Sequence, residues 1–462
     1  MRIDQIIALK TILSQTGLRA GVVNEVTAVI DMSCPQQESP DERTYSLNLA
    51  VVLDISGSMK GTKLENCKTA IEDLLQTVIQ KGDTFHIVVY ATNARVVVDD
   101  AGFGDLEDAI ARLRVVDTED NTNIEAGLKL AFAQLRKVPD SEDECEGEVT
   151  LKETPRAEKT VVKRVMFFSD GNANRGIRST DALTHLVASE KESQNLQLTS
   201  FGVGSKYNDA LMRALADAGS APFYYIETDD AIPVIVKNAC DCVNSLLSVD
   251  NAIRVFGIRG AVVTKVWGFP EYRDTIDLSD FVVGSSKKIV VTLTVPVGGL
   301  NYGEFSALAN QDFLGYSVTV HPTAMRGQEV QVLRKVSLPV CGPTDNVDLP
   351  EGDEDAKVLQ VALAVARFGE EHARMQKLLE RRRYRDAVAL GEESVRGLEE
   401  SVASEELPDH HVAMKLLTQG RHTLGEARKG RDATSTRGCS YSSGSSRTQD
   451  TSYVSVSTGG RC

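Results

Sequence analysis

Residues 51–59 read VVLDISGSM and decide the fold class, because they join a buried strand to the start of a helix. Residues 47–54 (LNLAVVLD) form an almost continuous apolar run. Such a run is typical of a strand that is covered by helices on both faces of a parallel sheet. A Ser-Gly-Ser turn follows at once, and helical periodicity begins near Lys63. The strand thus ends by offering one carboxylate and two hydroxyls at the sheet edge.

Strand and helix patterns alternate from residue 47 to residue 249. The strand-like runs include VVKRVMFF at residues 161–168, and acidic residues 139–160 interrupt the order. Helical periodicity occurs at residues 63–80, 106–113, 124–137, 181–195 and 209–218. This alternation predicts an α/β fold with a doubly wound, mostly parallel, Rossmann-like sheet. The acidic interruption almost lacks large apolar residues, so we expect a disordered insertion there.

The flanking segments differ in composition from this α/β unit. We expect residues 1–46 to form an N-terminal helix and strands that join a β-sandwich at residues 250–340, where apolar and polar residues alternate between turns. An acidic linker at residues 341–355 leads to a helical region at residues 356–429. Residues 430–462 are rich in Ser, Thr and Gly, a composition typical of a disordered tail.

Charge and composition limit the classes of partner. The 462-residue chain carries a formal net charge of −15, which argues against a nucleic-acid backbone or an anionic membrane surface. We find no run of about 18 apolar residues and no signal peptide, so we expect a cytoplasmic protein without a membrane span. The eight cysteines show no paired C-x-x-C sets, which argues against a zinc site.

Oxygen-bearing side chains follow the strands at the predicted carboxyl edge of the sheet. Asp54, Ser56 and Ser58 lie on the first loop, Thr122 lies on a loop before a helix, and Asp170 ends a later strand. Oxygen ligands without imidazole or thiolate suit a hard cation. The sequence therefore predicts a Mg²⁺ site, with Mn²⁺ or Ca²⁺ as alternatives, formed by Asp54, Ser56, Ser58, Thr122 and Asp170.

Three motifs in this part of the chain resemble the von Willebrand factor A domain with its metal-ion-dependent adhesion site. The motifs are D-x-S-x-S at Asp54, Ser56 and Ser58, N-T-N-I-x-x-G-L at residues 121–128, and S-D-G at residues 169–171. The resemblance implies direct contacts to Mg²⁺ from the two serines and the threonine, with the two aspartates bound directly or through water. It also implies that a partner protein supplies an Asp or Glu as the last ligand.

The resemblance implies a Mg²⁺-dependent protein-interaction module or scaffold without catalytic activity. The wider arrangement is similar to that of intracellular bacterial and plant proteins that join this domain to a β-sandwich. Some plant members carry a RING finger and act as ubiquitin ligases, but the cysteine and histidine pattern of a RING finger is missing from this sequence. Ligase activity is therefore not expected here.

Other interpretations of the same residues remain open. Asp54 or Ser58 alone would suit a helix cap, which satisfies backbone amides at a helix start. Asp54 also suits the nucleophile of a phosphotransferase or phosphatase, although Ser56 stands where such an enzyme needs a second aspartate as acid or base. A secreted adhesion protein with disulfides and a scaffold whose site binds no metal are the remaining alternatives.

Overall fold

A computed structural model describes most of the chain. The described residues are 6–35, 43–137, 160–171, 173–204, 207–226, 232–269, 275–298, 310–325, 328–350, 352–403 and 411–428. They form two compact units, one α/β and one made of antiparallel sheets and helices. The expected acidic insertion lies outside the described residues except for Thr160, and the expected tail at residues 430–462 lies wholly outside them.

The secondary structure follows the chain in three parts, with the α/β unit in the middle. The strands are β1 (Ala8–Leu13), β2 (Leu18–Arg19), β3 (Val23–Ser33), β4 (Tyr45–Asp54), β5 (Thr84–Tyr90), β6 (Ala94–Ala101), β7 (Thr160–Ser169), β8 (Leu196–Val203), β9 (Phe223–Ile226), β10 (Leu246–Gly257), β11 (Val262–Val266), β12 (Thr275–Leu278), β13 (Phe281–Val282), β14 (Ser286–Pro296), β15 (Gln311–Pro322), β16 (Val330–Leu338) and β17 (Val340–Cys341). The helices are α1 (Thr62–Val78), α2 (Leu106–Arg114), α3 (Ile124–Leu135), α4 (Thr180–Gln194), α5 (Asp209–Ala218), α6 (Ile232–Asn244), α7 (Glu354–Glu380), α8 (Tyr384–Val402) and α9 (Val412–Arg428).

The sheet of the α/β unit has the order β6-β5-β4-β7-β8-β9. All neighbouring strands are parallel except the edge strand β6, which runs antiparallel to β5. The predicted doubly wound, mostly parallel sheet is thus confirmed. Strand β4 lies between β5 and β7, and its last residue, Asp54, pairs in register with Tyr90. Ser169 ends β7 at the same rim, so the loops that follow these strands converge there.

Helix α3 packs closely on the sheet beside this rim. Its buried residues include Leu128 and Phe132, which belong to one apolar cluster with Tyr90 and Phe167. Gly127 lies against the tyrosine ring, and a Cβ atom at position 127 would come within 2.6 Å of Tyr90 Cδ1. The glycine of the N-T-N-I-x-x-G-L motif therefore allows the helix to approach Tyr90.

The second unit contains two antiparallel sheets, with the orders β1-β3-β14-β11 and β12-β10-β15-β16. Strand β3 pairs along its whole length with β14, from Val23 opposite Pro296 to Ser33 opposite Ser286. Strands from before and after the α/β unit therefore share one sheet. Helix α7 packs on this sheet through an apolar cluster. The cluster contains Ile12, Val29, Val290, Ala362 and Ala366.

The expected N-terminal helix is wrong for residues 8–13, which form strand β1. This strand pairs antiparallel with β3, from Ala8 opposite Ser33 to Leu13 opposite Ala28. The short run ALKTIL has no clear period, because its apolar residues fit either a helix or a strand. Pairing with an adjacent long strand satisfies the backbone groups of the run, and this tertiary contact decides its structure.

Helices α7, α8 and α9 form the C-terminal helical region, which the sequence predicted and the structure confirms. They pack through a buried cluster that includes Val365, Phe368, Leu398 and Leu416. Asp353 caps α7, since its carboxylate accepts hydrogen bonds from the backbone N–H groups of Asp355 and Ala356. No helix in the described ranges has the length and apolar character needed to cross a membrane.

We expect Gly127→Ala to destabilise the α/β unit. Alanine is intrinsically better than glycine in a helix by about 0.5–1 kcal/mol. The added methyl group would overlap Tyr90, and such overpacking costs about 1–3 kcal/mol, so the net effect should be a lower unfolding temperature. Calorimetry should show this decrease for Gly127→Ala but not for Gly104→Ala, where a Cβ atom has open space. Equal unfolding temperatures for both variants would contradict the packing argument.

Candidate functional site

The Asp54 carboxylate lies at the rim of the sheet where the loops after β4 and β7 meet, and hydrogen bonds hold it in one orientation. Its side chain is fully buried. Its Oδ1 accepts a hydrogen bond from the Ser56 backbone N–H at 2.8 Å. Its Oδ2 accepts hydrogen bonds from Ser169 Oγ at 2.7 Å and from the Tyr90 hydroxyl at 3.2 Å. These three donors fix the orientation of the carboxylate.

The two serines of the first loop place their hydroxyls side by side. Ser56 Oγ and Ser58 Oγ are hydrogen-bonded to each other at 3.1 Å. Two neighbouring oxygens of an octahedral Mg²⁺ shell, each about 2.1 Å from the ion, lie about 3.0 Å from one another. Ser56 is buried, whereas Ser58 is exposed, so this pair of oxygens connects the buried carboxylate to solvent. The spacing of the two hydroxyls therefore fits one edge of a magnesium site.

Hydrogen bonds to the loop after β7 hold Thr122 at the same rim. The Thr122 N–H donates to Asn174 Oδ1 at 2.8 Å. The Thr122 carbonyl accepts from the backbone N–H groups of Asn174 at 3.0 Å and Arg175 at 3.1 Å. The Glu119 N–H also donates to the Ile55 carbonyl at 2.7 Å, which joins the Thr122 loop to the first loop. Backbone contacts thus link all three loops.

Asp170 supplies the second carboxylate, and Lys63 supplies a cation beside it. The Asp170 side chain is 2% exposed, and Lys63 Nζ lies 3.7 Å from its Oδ2. The Asp170 carbonyl accepts a hydrogen bond from the Asn208 N–H at 2.7 Å. Asn208 in turn caps helix α5, because its side chain accepts a hydrogen bond from the Leu211 N–H. The carboxylate therefore belongs to a well-anchored segment.

The electrostatics of the rim favour a cation. Burial raises the pKa of Asp54 to about 6, and the negative charge of Asp170 also raises it, whereas hydrogen bonds from Ser169 and Ser56 lower it. Two largely buried carboxylates that repel each other would both gain from a nearby positive charge. Within the described ranges, no three His, Cys, Asp or Glu side chains are grouped to hold a metal ion. A hard cation here would use the hydroxyl oxygens together with the two carboxylates.

The helix-cap interpretation of the first loop is wrong. Helix α1 begins after Gly61, and no side chain makes a capping hydrogen bond there. Asp54 instead accepts the N–H of Ser56, two residues on, and contacts side chains from two neighbouring strands. The carboxylate and the hydroxyls therefore serve the rim of the sheet.

The sequence did not indicate four residues that shape the site: Lys63, Tyr90, Ser169 and Asn174. Tyr90 could have been predicted from the strand register, because it ends the neighbouring strand β5 and pairs with Asp54. Ser169 belongs to the S-D-G motif, and its role as a hydrogen-bond donor to Asp54 depends on the pairing of β7 with β4. Asn174 follows the S-D-G motif closely, but its hydrogen bond to Thr122 has no local sequence signal.

Comparison with known proteins identifies the domain that contains this rim. The sequence profile of the von Willebrand factor type A domain matches residues 48–238. This part of the chain is a von Willebrand factor type A (VWA) domain. VWA domains are in general protein-interaction modules, and they commonly bind a divalent metal.

Two curated relatives resemble part of the chain. The uncharacterized protein YfbK of Escherichia coli is 28% identical over 207 residues, which are 44% of this chain and 32% of that protein. The inter-alpha-trypsin inhibitor heavy chain H3 of Mesocricetus auratus is 26% identical over 190 residues, which are 39% of this chain and 19% of that protein. The chain thus spans less than half of the length of either relative.

Two solved structures share the fold over nearly the whole chain. The von Willebrand factor type A protein from Catenulispora acidiphila has a TM-score of 0.63 at 15% identity, and the match covers 91% of this chain and 90% of that chain. The ArnB paralog VWA2 from Sulfolobus acidocaldarius has a TM-score of 0.58 at 15% identity, with 97% and 100% covered. At this identity the likeness concerns the fold alone.

We expect Asp54→Asn to stabilise the metal-free protein at pH 7.5. A pKa of about 6 lies roughly two units above that of an unfolded aspartate, so the ionised side chain costs about 2–3 kcal/mol. Asparagine has nearly the same shape and carries no charge, and its NH2 group can donate to the Ser169 and Tyr90 hydroxyls, which accept as well as donate. In EDTA, calorimetry should show an unfolding temperature higher by roughly 5 °C for the variant.

The pH dependence provides the control for this prediction. A carboxyl group whose pKa is raised in the folded protein contributes stability that is fully present below about pH 4. This stability is lost as the pH rises through about 6, the pKa of Asp54. The difference between Asp54→Asn and the wild type should therefore shrink at pH 4.5. A wild type that is more stable than the variant at pH 7.5 in EDTA would contradict the account.

Proposed function

We propose that the VWA domain of this chain is a Mg²⁺-dependent protein-interaction module that binds an acidic side chain of a partner protein. One observation carries the proposal. Hydrogen bonds link the three loops that carry the hydroxyl and carboxylate side chains at the carboxyl rim of the sheet, and the 3.1 Å distance between Ser56 Oγ and Ser58 Oγ suits two ligands of a hard cation. The proposed metal-binding residues are Asp54, Ser56, Ser58, Thr122 and Asp170.

Each of these residues has a distinct role in the proposal. The hydroxyls of Ser56, Ser58 and Thr122 would contact the ion, and the two aspartates would bind it directly or through water. Bound Mg²⁺ would supply an electrophilic position that accepts one carboxylate oxygen of the partner. The protein provides rigidity, because Tyr90 and Ser169 hold Asp54 while Asn174 holds the Thr122 loop.

The charge of the chain makes the cation necessary for such binding. The chain has a net charge of −15, and the rim itself contains two carboxylates. A partner carboxylate would be repelled from this rim without a compensating positive ion. We therefore expect the interaction to depend strictly on a divalent cation, with Mg²⁺ preferred over Mn²⁺ or Ca²⁺ by abundance in cells.

The geometry supports a binding role for Asp54 more than a catalytic one. A phosphotransferase would need the Asp54 carboxylate to reach a phosphorus atom. Asp54 is fully buried, and both of its oxygens accept hydrogen bonds from neighbouring residues. We therefore propose a scaffold without catalysis of its own. The cytoplasmic location, expected from the sequence, stays a prediction.

Mg²⁺ should stabilise the wild-type protein against heat. A ligand that binds only the folded state adds about 2.7 kcal/mol at one hundred times its dissociation constant. Thr122→Ala removes one proposed ligand, so most of the Mg²⁺-induced rise in unfolding temperature should disappear. Thr118→Ala on the same loop is the matched control and should keep the rise. Equal rises in Thr122→Ala and Thr118→Ala would mean that Thr122 does not bind the ion.

Affinity capture from a native lysate tests the interaction itself. The baits are the wild type in Mg²⁺, the wild type in EDTA, and Asp54→Asn in Mg²⁺. We expect at least one protein to be retained by the wild type in Mg²⁺ and by neither of the other two baits. Identical captures in all three conditions would exclude the metal site as the binding surface.

A further inference from the structure

Lys63 places an ammonium group next to the proposed metal ligands. Its Nζ lies 3.7 Å from Asp170 Oδ2 and donates a hydrogen bond to the Ser58 carbonyl at 3.1 Å. The side chain is 30% exposed, so it is mostly covered by the protein. Lys63 belongs to the first turn of helix α1, directly after the loop that carries the two serines. The group is therefore close to both proposed ligand loops.

The neighbouring loop after β8 makes room for this side chain. Gly204 has a φ angle of +77°, and a Cβ atom built there would lie 2.5 Å from Lys63 Cε. The lysine stem thus runs across a position that has no side chain. Ser58, Asp170 and Gly204 belong to three different loops, and together they define where the ammonium lies.

The charge balance at the rim gives Lys63 a function. A divalent ion would neutralise the two carboxylates of Asp54 and Asp170, which leaves little net attraction for a further carboxylate. Lys63 adds one positive charge beside this neutral set. The positive charge of Lys63 repels the metal ion and attracts an acidic group, because like charges repel and opposite charges attract.

We propose that Lys63 is a specificity-determining residue of the site: a fixed cation that weakens metal binding and strengthens binding of the partner's carboxylate. This inference rests on the proposed function. It implies that the partner protein binds through a segment whose negative charge faces both the metal ion and Lys63. A lysine that only braced the loops would affect both affinities in the same direction.

The test uses Mn²⁺ as the metal probe and N-acetylaspartate amide as the acid probe. Free Mn²⁺ is counted by electron paramagnetic resonance, which gives the affinity of the metal alone. The acid is then titrated into the Mn²⁺-loaded protein, and water-proton relaxation reports the loss of metal-bound water. The variants are Lys63→Gln, which keeps an N–H donor but removes the charge, and Lys63→Arg, which keeps the charge.

Lys60→Met is the matched control, since Lys60 is an exposed lysine three residues earlier on the chain. We expect Lys63→Gln to bind Mn²⁺ about tenfold more tightly and the acid probe about fivefold more weakly than the wild type. Lys63→Arg and Lys60→Met should stay within about twofold of the wild type in both affinities. If Lys63→Gln does not fold, Lys63→Met serves as the uncharged variant.

The outcomes separate this inference from the proposed function. A wild type that does not bind Mn²⁺ would overturn the proposed function and the inference with it. A wild type that binds Mn²⁺, with Lys63→Gln either unchanged or shifted in the same direction for both probes, would overturn the inference alone. Tighter Mn²⁺ binding together with weaker acid binding in Lys63→Gln, with Lys63→Arg and Lys60→Met unchanged, would support it, and opposite shifts of the reverse sign would overturn it.

Discussion

The buried carboxylate of Asp54 is the constraint on which the rest of the site depends. It accepts hydrogen bonds from its own loop through Ser56, from β7 through Ser169 and from β5 through Tyr90. An ionised group without solvent is unfavourable unless opposite charge or donors compensate it. Three donors compensate only in part, since burial still raises its pKa to about 6. The remaining cost is what a bound cation would offset.

The parallel sheet explains why the other groups meet at this carboxylate. Strands β4, β5 and β7 run in the same direction, so their following loops must lie at one edge. Loop positions are then fixed by contacts that are mostly backbone, such as those of Thr122 with Asn174 and Arg175. Gly127 lets α3 approach Tyr90, which connects helix packing to the orientation of Asp54. Fold stability and site geometry therefore share the same residues.

Periodicity predicted the α/β unit well, because long buried strands and amphipathic helices leave clear patterns. It failed at β1, where six residues fit either a helix or a strand and pairing with β3 decides. The motifs indicated five oxygen-bearing residues, and hydrogen bonds link the loops that carry them at one rim. The motifs could not indicate the supporting contacts. Tertiary structure determines the hydrogen bond between Asn174 and Thr122, and it also places the Lys63 side chain beside Gly204. Neither contact has a signal in the local sequence.

Diffraction at the manganese absorption edge, from crystals grown with Mn²⁺, tests the central claim most directly, because anomalous scattering locates the ion itself. The account predicts one strong anomalous peak at the rim, within about 2.5 Å of the hydroxyl oxygens of Ser56, Ser58 and Thr122. A fully Mn²⁺-loaded crystal with no peak at this rim, or with its peak at other residues, would contradict it.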